Sequence, residues 1–294
     1  MGYQRRPYTG PDDLRRMQAL AERVRTDDSR WHAGELAWMR YQHLGREPEW
    51  RTSLWQDGDV VVGWAWARAA GELDLQIDPA HPRLAGEILR WFDRVAGGAC
   101  REISVGERDK ALVEALRAHG YREQRSGPFF VHLARGLDDL PEPVVPDGYV
   151  LRPVRGEEDA DARAAVHRAA FSLPGLPPSR VNGQSYRRVM DAWPYRTDLD
   201  WLVEAPDGTP VSFCLLWLDA ANRDVQLEPV GTAPGHRRRG LASAAILGAL
   251  HAARDLGAET ARVCARGDDA HPSARATYQS LGFERFARNL TFVK

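Results

Sequence analysis

The sequence predicts two tandem copies of one α/β or α+β unit, and three observations carry that reading. The chain has 294 residues, room for two domains of ordinary size. One order of strand, helix and glycine-stop signals runs through each half. Between the halves, Leu137 to Gly148 (LDDLPEPVVPDG) packs 3 prolines and 4 acidic residues into 12 positions. Proline fixes φ and removes donors, so this stretch reads as an extended linker at 138–148, with units at 1–137 and 149–294.

The first unit opens on Arg6-Pro7-Tyr8-Thr9-Gly10-Pro11-Asp12-Asp13, a short strand leading into a helix-favouring run. The second opens on the parallel Arg152-Pro153-Val154-Arg155-Gly156-Glu157-Glu158-Asp159. In the first half, Val60 to Ala67 and Glu72 to Asp78 form a hairpin that meets Pro79. Leu84 to Ala96 reads as a helix stopped by Gly97-Gly98, Arg101 to Val105 as a strand, and Lys110 to His119 as a helix ending at Gly120-Tyr121. In the second half, Pro210 to Leu218 and Val225 to Thr232 form the hairpin that meets Pro234. A helix runs to Leu256, with Gly257 where a C′ glycine belongs. Thr260 to Arg266 alternates as a strand, and a short helix from about Pro272 stops at Gly282-Phe283. The matching Arg-Pro-x-x-Gly starts and Gly-aromatic ends mark a duplication.

Composition narrows the function classes. Apolar residues are 43% and charged residues 28%, as in globular chains. Lys plus Arg is 40 against 41 Asp plus Glu, so no global basic field draws the chain to nucleic acid or membrane. Only Lys110 and Lys294 are lysines; the other basic residues are arginines. The 3 cysteines, Cys100, Cys214 and Cys264, are far apart and odd in number. They form neither a disulfide framework nor a C-x-x-C pair, and the expectation is a reducing cytoplasm. Cys214 and Cys264 fall in strands and read as buried small hydrophobes. The 9 histidines show no H-x-x-x-H or H-E-x-x-H spacing, so no metal site is expected. No stretch approaches the roughly 18 apolar residues of a spanning helix. No apolar run follows Arg5-Arg6 as it would in a secretory signal. Nothing in the sequence sets an oligomeric state.

The stretch that carries chemistry is Val225 to Ala245, VQLEPVGTAPGHRRRGLASAA. A strand runs into Gly231, Pro234 and Gly235, then three arginines, Gly240 and a small-residue helix. A strand, a glycine-containing loop and a helix N-terminus together make an anion site, because unpaired N–H groups point outward and the helix dipole adds about half a positive charge. Arg237, Arg238 and Arg239 add forked donors suited to phosphate oxygens. Gly240, Ala242 and Ser243 let the backbone approach a pyrophosphate closely. The pattern is neither G-x-x-x-x-G-K-[ST] nor G-x-G-x-x-G, which disfavours nucleoside triphosphate and dinucleotide folds.

Arg237-Arg238-Arg239-Gly240-Leu241-Ala242 resembles the [QR]-x-x-G-x-[GA] acetyl-coenzyme A signature of the GNAT acyltransferase superfamily. It sits, as there, between a strand ending in Val230-Gly231-Thr232 and a long helix. Ser273 to Phe283 (SARATYQSLGF) resembles the family's second motif, an Ala, then Tyr, then Gly-Phe. The two motifs stand in the family's order with the expected elements between them. The likeness is close in the second half and only in outline in the first. It implies two tandem GNAT-like domains of the kind found in mycothiol synthases, each a mixed, mostly antiparallel sheet flanked by helices. It also implies an acetyl-coenzyme A-dependent N-acetyltransferase, in which the primary amine of a small metabolite attacks the thioester directly. The resemblance gives the pyrophosphate to the backbone of about Arg237 to Ser243, Leu241 included, and the pantetheine arm and thioester oxygen to Val230, Gly231 and Thr232. Tyr278 matches the tyrosine that protonates the departing thiolate.

Some residues depart from the family pattern. Where some members place a catalytic glutamate, this chain has Gln226, which is no base. Glu228, two residues on and on the same strand face, reads as base, as anchor for a cationic acceptor, or as a hydrogen-bonded wall. His271, ahead of Ala274, stands where the family has a pantetheine-side Asn, and also reads as a plain helix-start residue. Asp268-Asp269 reads as a loop cap rather than a metal ligand pair. In the first half, Asp78-Pro79-Ala80-His81-Pro82-Arg83-Leu84-Ala85 lacks the arginine run and the glycine, and Leu116 stands in for the tyrosine. That half therefore reads as a degenerate copy. Its tryptophans, Trp31, Trp38, Trp50, Trp55, Trp64, Trp66 and Trp91, read as core, with a share available to line an acceptor groove. Phe171, Trp193, Tyr195 and Trp217 are the acceptor-side candidates of the second half. The competing function classes are a non-catalytic acyl-coenzyme A sensor and, less supported by the balanced charge, a nucleic-acid contact at His236 to Arg239.

Overall fold

The computed structural model describes residues 2–68, 71–97, 100–172 and 178–294; Gly98 of the predicted helix stop lies outside them. The first half runs β1 (Gln4–Pro7), α1 (Pro11–Arg23), α2 (Ala33–Tyr41), β2 (Arg51–Asp57), β3 (Val60–Arg68), β4 (Glu72–Ile77), α3 (Leu84–Val95), β5 (Glu102–Gly106), α4 (Lys110–Ala118), β6 (Arg122–Gln124) and β7 (Phe130–Gly136). The second half repeats that order from β8 (Val150–Pro153) through α5 (Ala160–Phe171), α6 (Gly183–Met190), β9 (Asp200–Glu204), β10 (Pro210–Asp219) and β11 (Asp224–Thr232). It ends with α7 (Leu241–Asp255), β12 (Thr260–Arg266), α8 (Ser273–Ser280) and β13 (Glu284–Val293).

The repeat is physical as well as verbal. Arg6 donates through both terminal nitrogens to Asp13 at 2.8 and 2.7 Å, and Arg152 does the same to Asp159 at 2.6 and 3.1 Å. In each case a backbone N–H four residues before the acid, from Thr9 or Arg155, donates to the same carboxylate. One corner from strand to helix is thus built twice by one ion pair.

All the strands join one mixed sheet in the order β1-β2-β3-β4-β5-β13-β7-β12-β11-β10-β9-β8, with β6 beside β13. The parallel pairs among the described residues are β4 with β5 and β11 with β12; the rest are antiparallel. The halves exchange strands. β7 of the first half lies between β12 and β13. β13 pairs with β7 through Glu284 to Arg288, then continues as Asn289 to Val293 against β5 and β6.

Apolar side chains close the layers. α3 turns Leu84, Ala85, Ile88, Leu89, Trp91 and Phe92 to the sheet at the spacing of one helix face. α7 packs its buried face, Leu241 to Ala253, on the second half of the sheet. All seven first-half tryptophans are buried, and Trp31–Trp64 and Trp50–Trp66 meet edge to face at 5.1 and 4.9 Å, so the core reading holds. α2 crosses the junction and packs against α6 and β10. Gly34 permits this: a Cβ there would lie 2.1 Å from Cβ of Trp217. Among the described residues, no helix is long and apolar enough to cross a membrane.

Candidate active site

The site begins where two parallel strands part. β11 pairs with β12 from Asp224–Thr260 to Leu227–Val263 and no further. Beyond that point β11 stays with β10 while β12 stays with β7, and the sheet forks. A bulge opens the fork. Leu227 lies opposite Leu216 and Val230 opposite Cys214, so Glu228 and Pro229 together face Leu215. Such a bulge bends its strand and re-aims side chains. Past it, the edge of Val230, Gly231 and Thr232 toward β12 has no pairing strand among the described residues, leaving main-chain groups that must be satisfied otherwise.

At the mouth of the fork stands a run of free donors. The first helical bond of α7 goes from Ala244 N–H to the Gly240 carbonyl at 3.0 Å. The N–H groups of Arg238 through Ser243 have no acceptor among the described residues, and Gly240 caps α7 without a side-chain bond. Arg238 and Gly240 lie at φ +62° and +79°, so the loop curls its N–H groups inward, as anion-binding nests do. Gly240 sits in the left-handed region, where a side chain is strained. The arginines divide. Arg237 donates to the carbonyls of Thr232 at 3.2 Å and Ala170 at 3.0 Å, tying the loop to β11 and α5. Arg238 is exposed, and Arg239 donates to the hydroxyl of Tyr149 at 3.3 Å.

At the floor of the fork, strand alternation sorts the side chains. Val225 and Leu227 of β11, and Ala261, Val263 and Ala265 of β12, enter the core. Asp224, Gln226 and Glu228, with Arg262 and Cys264, take the opposite face, toward the first half. Tyr278 of α8 is buried with its ring edge to Phe283, centroids 5.8 Å apart, and its hydroxyl has no bond within the described residues. Burial, with Cys214, Glu228 and Cys264 nearby, pushes the Tyr278 phenol up from its ordinary value. Burial, then the neighbouring Glu35, pushes the Glu228 carboxyl well above the carboxylate range, against the pull of Arg30. Glu35 is raised likewise, by burial and Asp74 against Arg30. The Glu228 carbonyl accepts from the Trp217 indole at 2.7 Å.

Glu35 and Arg30 of the first half act on the titration of Glu228, and the sequence reading missed both. Each is hydrophilic on a packed segment of the first half, and neither stands near a recognisable motif. The crossing of α2 over Trp217 brings the first half against β10 and β11. Below it, Arg25 and His32 of the first half clamp Asp224 at the start of β11. Arg25 and Arg262 each bond Asp224 at 2.9 Å, and His32 Nε2 lies 3.3 Å from it. His32, Asp219 and Asp224 cluster at metal-ligand spacing, yet two guanidinium groups already compensate that carboxylate.

Other sequence-named residues sort plainly. Trp217 backs Glu228, whereas Tyr195 bonds Asp200 at 3.1 Å and Trp193 lies 3.3 Å under the Arg15 guanidinium. Phe171 stacks on His167 at 4.6 Å. His271 and Ala274 are exposed at the start of α8. Asp268 accepts from Ala270 N–H at 3.0 Å and pairs with Arg266 at 2.6 Å, which is a loop cap. Cys214 is buried, but Cys264 is not fully so: its strand position turns it to the site face, a correction to the core reading.

The family described as Acetyltransferase (GNAT) family matches residues 169–283. The chain is 30% identical over 256 residues to the mycothiol acetyltransferase of Rhodococcus erythropolis, covering 81% of this chain and 82% of that relative. It is 28% identical over 263 residues to the mycothiol acetyltransferase of Kineococcus radiotolerans, covering 86% and 81%. Among solved structures it is similar to a tandem GNAT protein from the clavulanic acid biosynthesis pathway, at TM-score 0.65 and 16% identity over 100% of this chain and 98% of that one. It is also similar to a GCN5-related N-acetyltransferase from Sphaerobacter thermophilus, at TM-score 0.63 and 18% identity over 99% and 95%. At these identities the solved structures speak for the fold, a tandem pair of such domains.

Proposed function

The chain belongs to the GNAT acetyltransferase family, and from that premise we propose that its second unit, residues 149–294, moves acetyl from acetyl-coenzyme A to the primary amine of a small cationic metabolite. Residues 1–137 are then a degenerate partner, joined by 138–148. The observation that carries this reading is the fork between β11 and β12. It joins a run of unpaired N–H groups at its mouth to Glu228 and Tyr278 at its floor.

The donors fit a pyrophosphate. Six consecutive N–H groups at Arg238 to Ser243, free among the described residues, and the α7 dipole favour an anion there, with Arg238 and Arg239 beside it. Arg237 acts by holding the loop in shape. The unpaired edge of Val230, Gly231 and Thr232 suits the amide groups of a pantetheine arm and a polarised carbonyl oxygen. His271, just before α8, and Ala274 in its first turn are the remaining cofactor-side candidates. When bound, acetyl-coenzyme A supplies a thioester whose C–S bond breaks as the C–N bond to the amine forms.

Glu228 takes the proton the ammonium must lose. Its raised affinity for protons makes it a stronger base than an ordinary carboxylate and brings it closer to working pH. Tyr278, kept protonated by burial, gives its proton to the departing sulfur. Glu35 acts on the titration of Glu228 from the first half, and a second acid there suits an acceptor arriving as a cation.

The test is amine-dependent thiol release by the full chain across a panel of small amines. Turnover with at least one amine is expected. The sign of its pH dependence follows from Glu228: the protonated, inactive form persists above the ordinary carboxylate range, so kcat/KM rises with pH there. Glu228→Gln should remove that limb and lower the rate about 10²- to 10⁴-fold while acetyl-coenzyme A affinity stays within a few-fold. Full activity in Glu228→Gln overturns the base assignment. Tight binding without turnover on any amine would mark an acyl-coenzyme A sensor instead.

A further inference from the structure

Trp217 stands on β10 directly opposite Gln226 of β11, so both side chains leave the sheet on the face that also carries Glu228. Its ring is fully buried, and its indole N–H donates to the Glu228 carbonyl at 2.7 Å. That carbonyl belongs to the bulge, where the regular ladder is interrupted and a main-chain group needs a partner of its own. The ring is held from two sides. Tyr195 meets it edge to face, centroids 6.1 Å apart, and is itself fixed by its hydroxyl bond to Asp200 at 3.1 Å. From the first half, the backbone of α2 lies against it at Gly34, where a Cβ would come within 2.1 Å of Cβ and 2.2 Å of Cγ of Trp217. His32 caps α2 at that point, its Nδ1 accepting from the Gly34 N–H at 3.0 Å, while its Nε2 lies 3.3 Å from Asp224 at the start of β11. The first half is thus joined to the bulge by an unbroken series of contacts: His32, Gly34, the Trp217 ring, the Glu228 carbonyl.

We propose that Trp217 is a positioning residue for acetyl transfer: its indole N–H pins the Glu228 carbonyl and so holds the bulge in the shape that aims the Glu228 carboxyl, with Gly34 of the first half as the seat of its ring. The proposal rests on Glu228 being the base. The carbonyl and the carboxyl hang from one residue, so a peptide plane that rotates when the indole bond is lost re-aims the side chain. A misplacement of about 1 Å at a reacting group costs on the order of 10²-fold in rate. The cofactor cradle lies beyond the bulge and has its own brace, since Arg237 ties it to the carbonyls of Thr232 and Ala170. Loss of the indole bond therefore acts on the transfer step and spares the grip on acetyl-coenzyme A. The degenerate half gains a mechanical part in the reaction, as the surface on which Trp217 is seated.

The experiment measures kcat for thiol release and acetyl-coenzyme A affinity in the full chain with one accepted amine. Trp217→Phe should lower kcat about 10- to 100-fold with affinity within a few-fold. Replacing Trp217 by its benzothienyl isostere, which keeps the double ring and lacks the N–H, should do the same. Trp31→Phe is the control, because it deletes an indole bond of equal length, 2.7 Å to the Leu75 carbonyl, in the first half; its kcat should stay within a few-fold. Added to Glu228→Gln, Trp217→Phe should cost no more than about a further threefold, since a residue that acts through Glu228 then has nothing left to aim. Parent-like kcat in the isostere overturns the proposal, and so does an equal loss in Trp31→Phe. Losses that multiply in full when Trp217→Phe is added to Glu228→Gln overturn it as well. If Trp217→Phe does not fold, the isostere decides alone, singly and combined with Glu228→Gln. Full activity in Glu228→Gln shows, separately, that the base was misassigned.

Discussion

The two forks of the sheet are built from the same elements, and they differ wherever a donor or an acid is needed. Each follows the same Arg–Asp corner, and each opens where a parallel pair ends, after Leu73–Ile103 in the first half and Leu227–Val263 in the second. The first fork even keeps a cavity of about 410 Å³, walled by Leu75, Ile77, Val105 and Leu112. One of its main-chain acceptors, however, is already used. The Leu75 carbonyl, four residues before Pro79, accepts from the Trp31 indole; no side chain among the described residues bonds Val230, four residues before Pro234. In the first loop the N–H groups of Ala80, His81, Leu84 and Ala85 all have acceptors, while Pro79 and Pro82 have no N–H at all. Leu116, fully buried, fills the place of Tyr278. What packing requires was kept in both halves, and what chemistry requires stands in one. The first half still reaches the other half through Arg25 and His32, which hold Asp224, and through the strand β7.

The largest effect that could break this comparison is at the acid. Tyr278→Phe keeps the ring against Phe283 and deletes the proton donor, so kcat should fall about 10²- to 10⁴-fold with coenzyme A affinity within a few-fold. Leu116→Tyr, at the matching place in the first half, should add no activity. Normal turnover in the folded Phe variant would leave the second fork without its acid.

A smaller effect sharpens the contrast between the loops. Gly240→Asp sets a carboxylate against the expected pyrophosphate and should weaken acetyl-coenzyme A binding about 10- to 100-fold, between the water and protein-surface limits for like charges about 4 Å apart. Open space surrounds Gly240, but its φ of +79° strains any side chain, at about 1 kcal/mol. Gly240→Asn carries the same strain without the charge and should lose only a few-fold, as titration calorimetry would show. Equal losses in both variants would mean that backbone shape, not anion binding, explains the glycine.

Much of the fold was legible because its signals are local. Periodicity, proline and glycine placed the β3–β4 and β10–β11 hairpins and the helices α3, α4, α7 and α8 within a residue or two, while α2 and α6 went unread, and the tryptophans of the first half pack as core. The strand exchange left no such mark. Nothing local to Asn289 to Val293 says that its partners lie in the first half, because that pairing is decided by tertiary packing. At the site, the loop and Tyr278 stood out in the sequence, whereas Glu35 and Arg30 did not, since each acts across the junction. Cys264 was readable in principle. It alternates with Ala261, Val263 and Ala265, so it belongs to the face of Arg262 rather than to the core. Arg237 was not, because the sequence cannot tell a phosphate ligand from a side chain that bonds carbonyls of its own loop.

The central claim is that the duplicated chain holds one coenzyme A site, in the second half. Titration calorimetry of acetyl-coenzyme A into the intact chain tests it most directly, with Gly240→Asp alongside. The account predicts one site per chain in the parent, and that same site weakened about 10- to 100-fold in the variant. Two sites, or one site of unchanged affinity in Gly240→Asp, would contradict it.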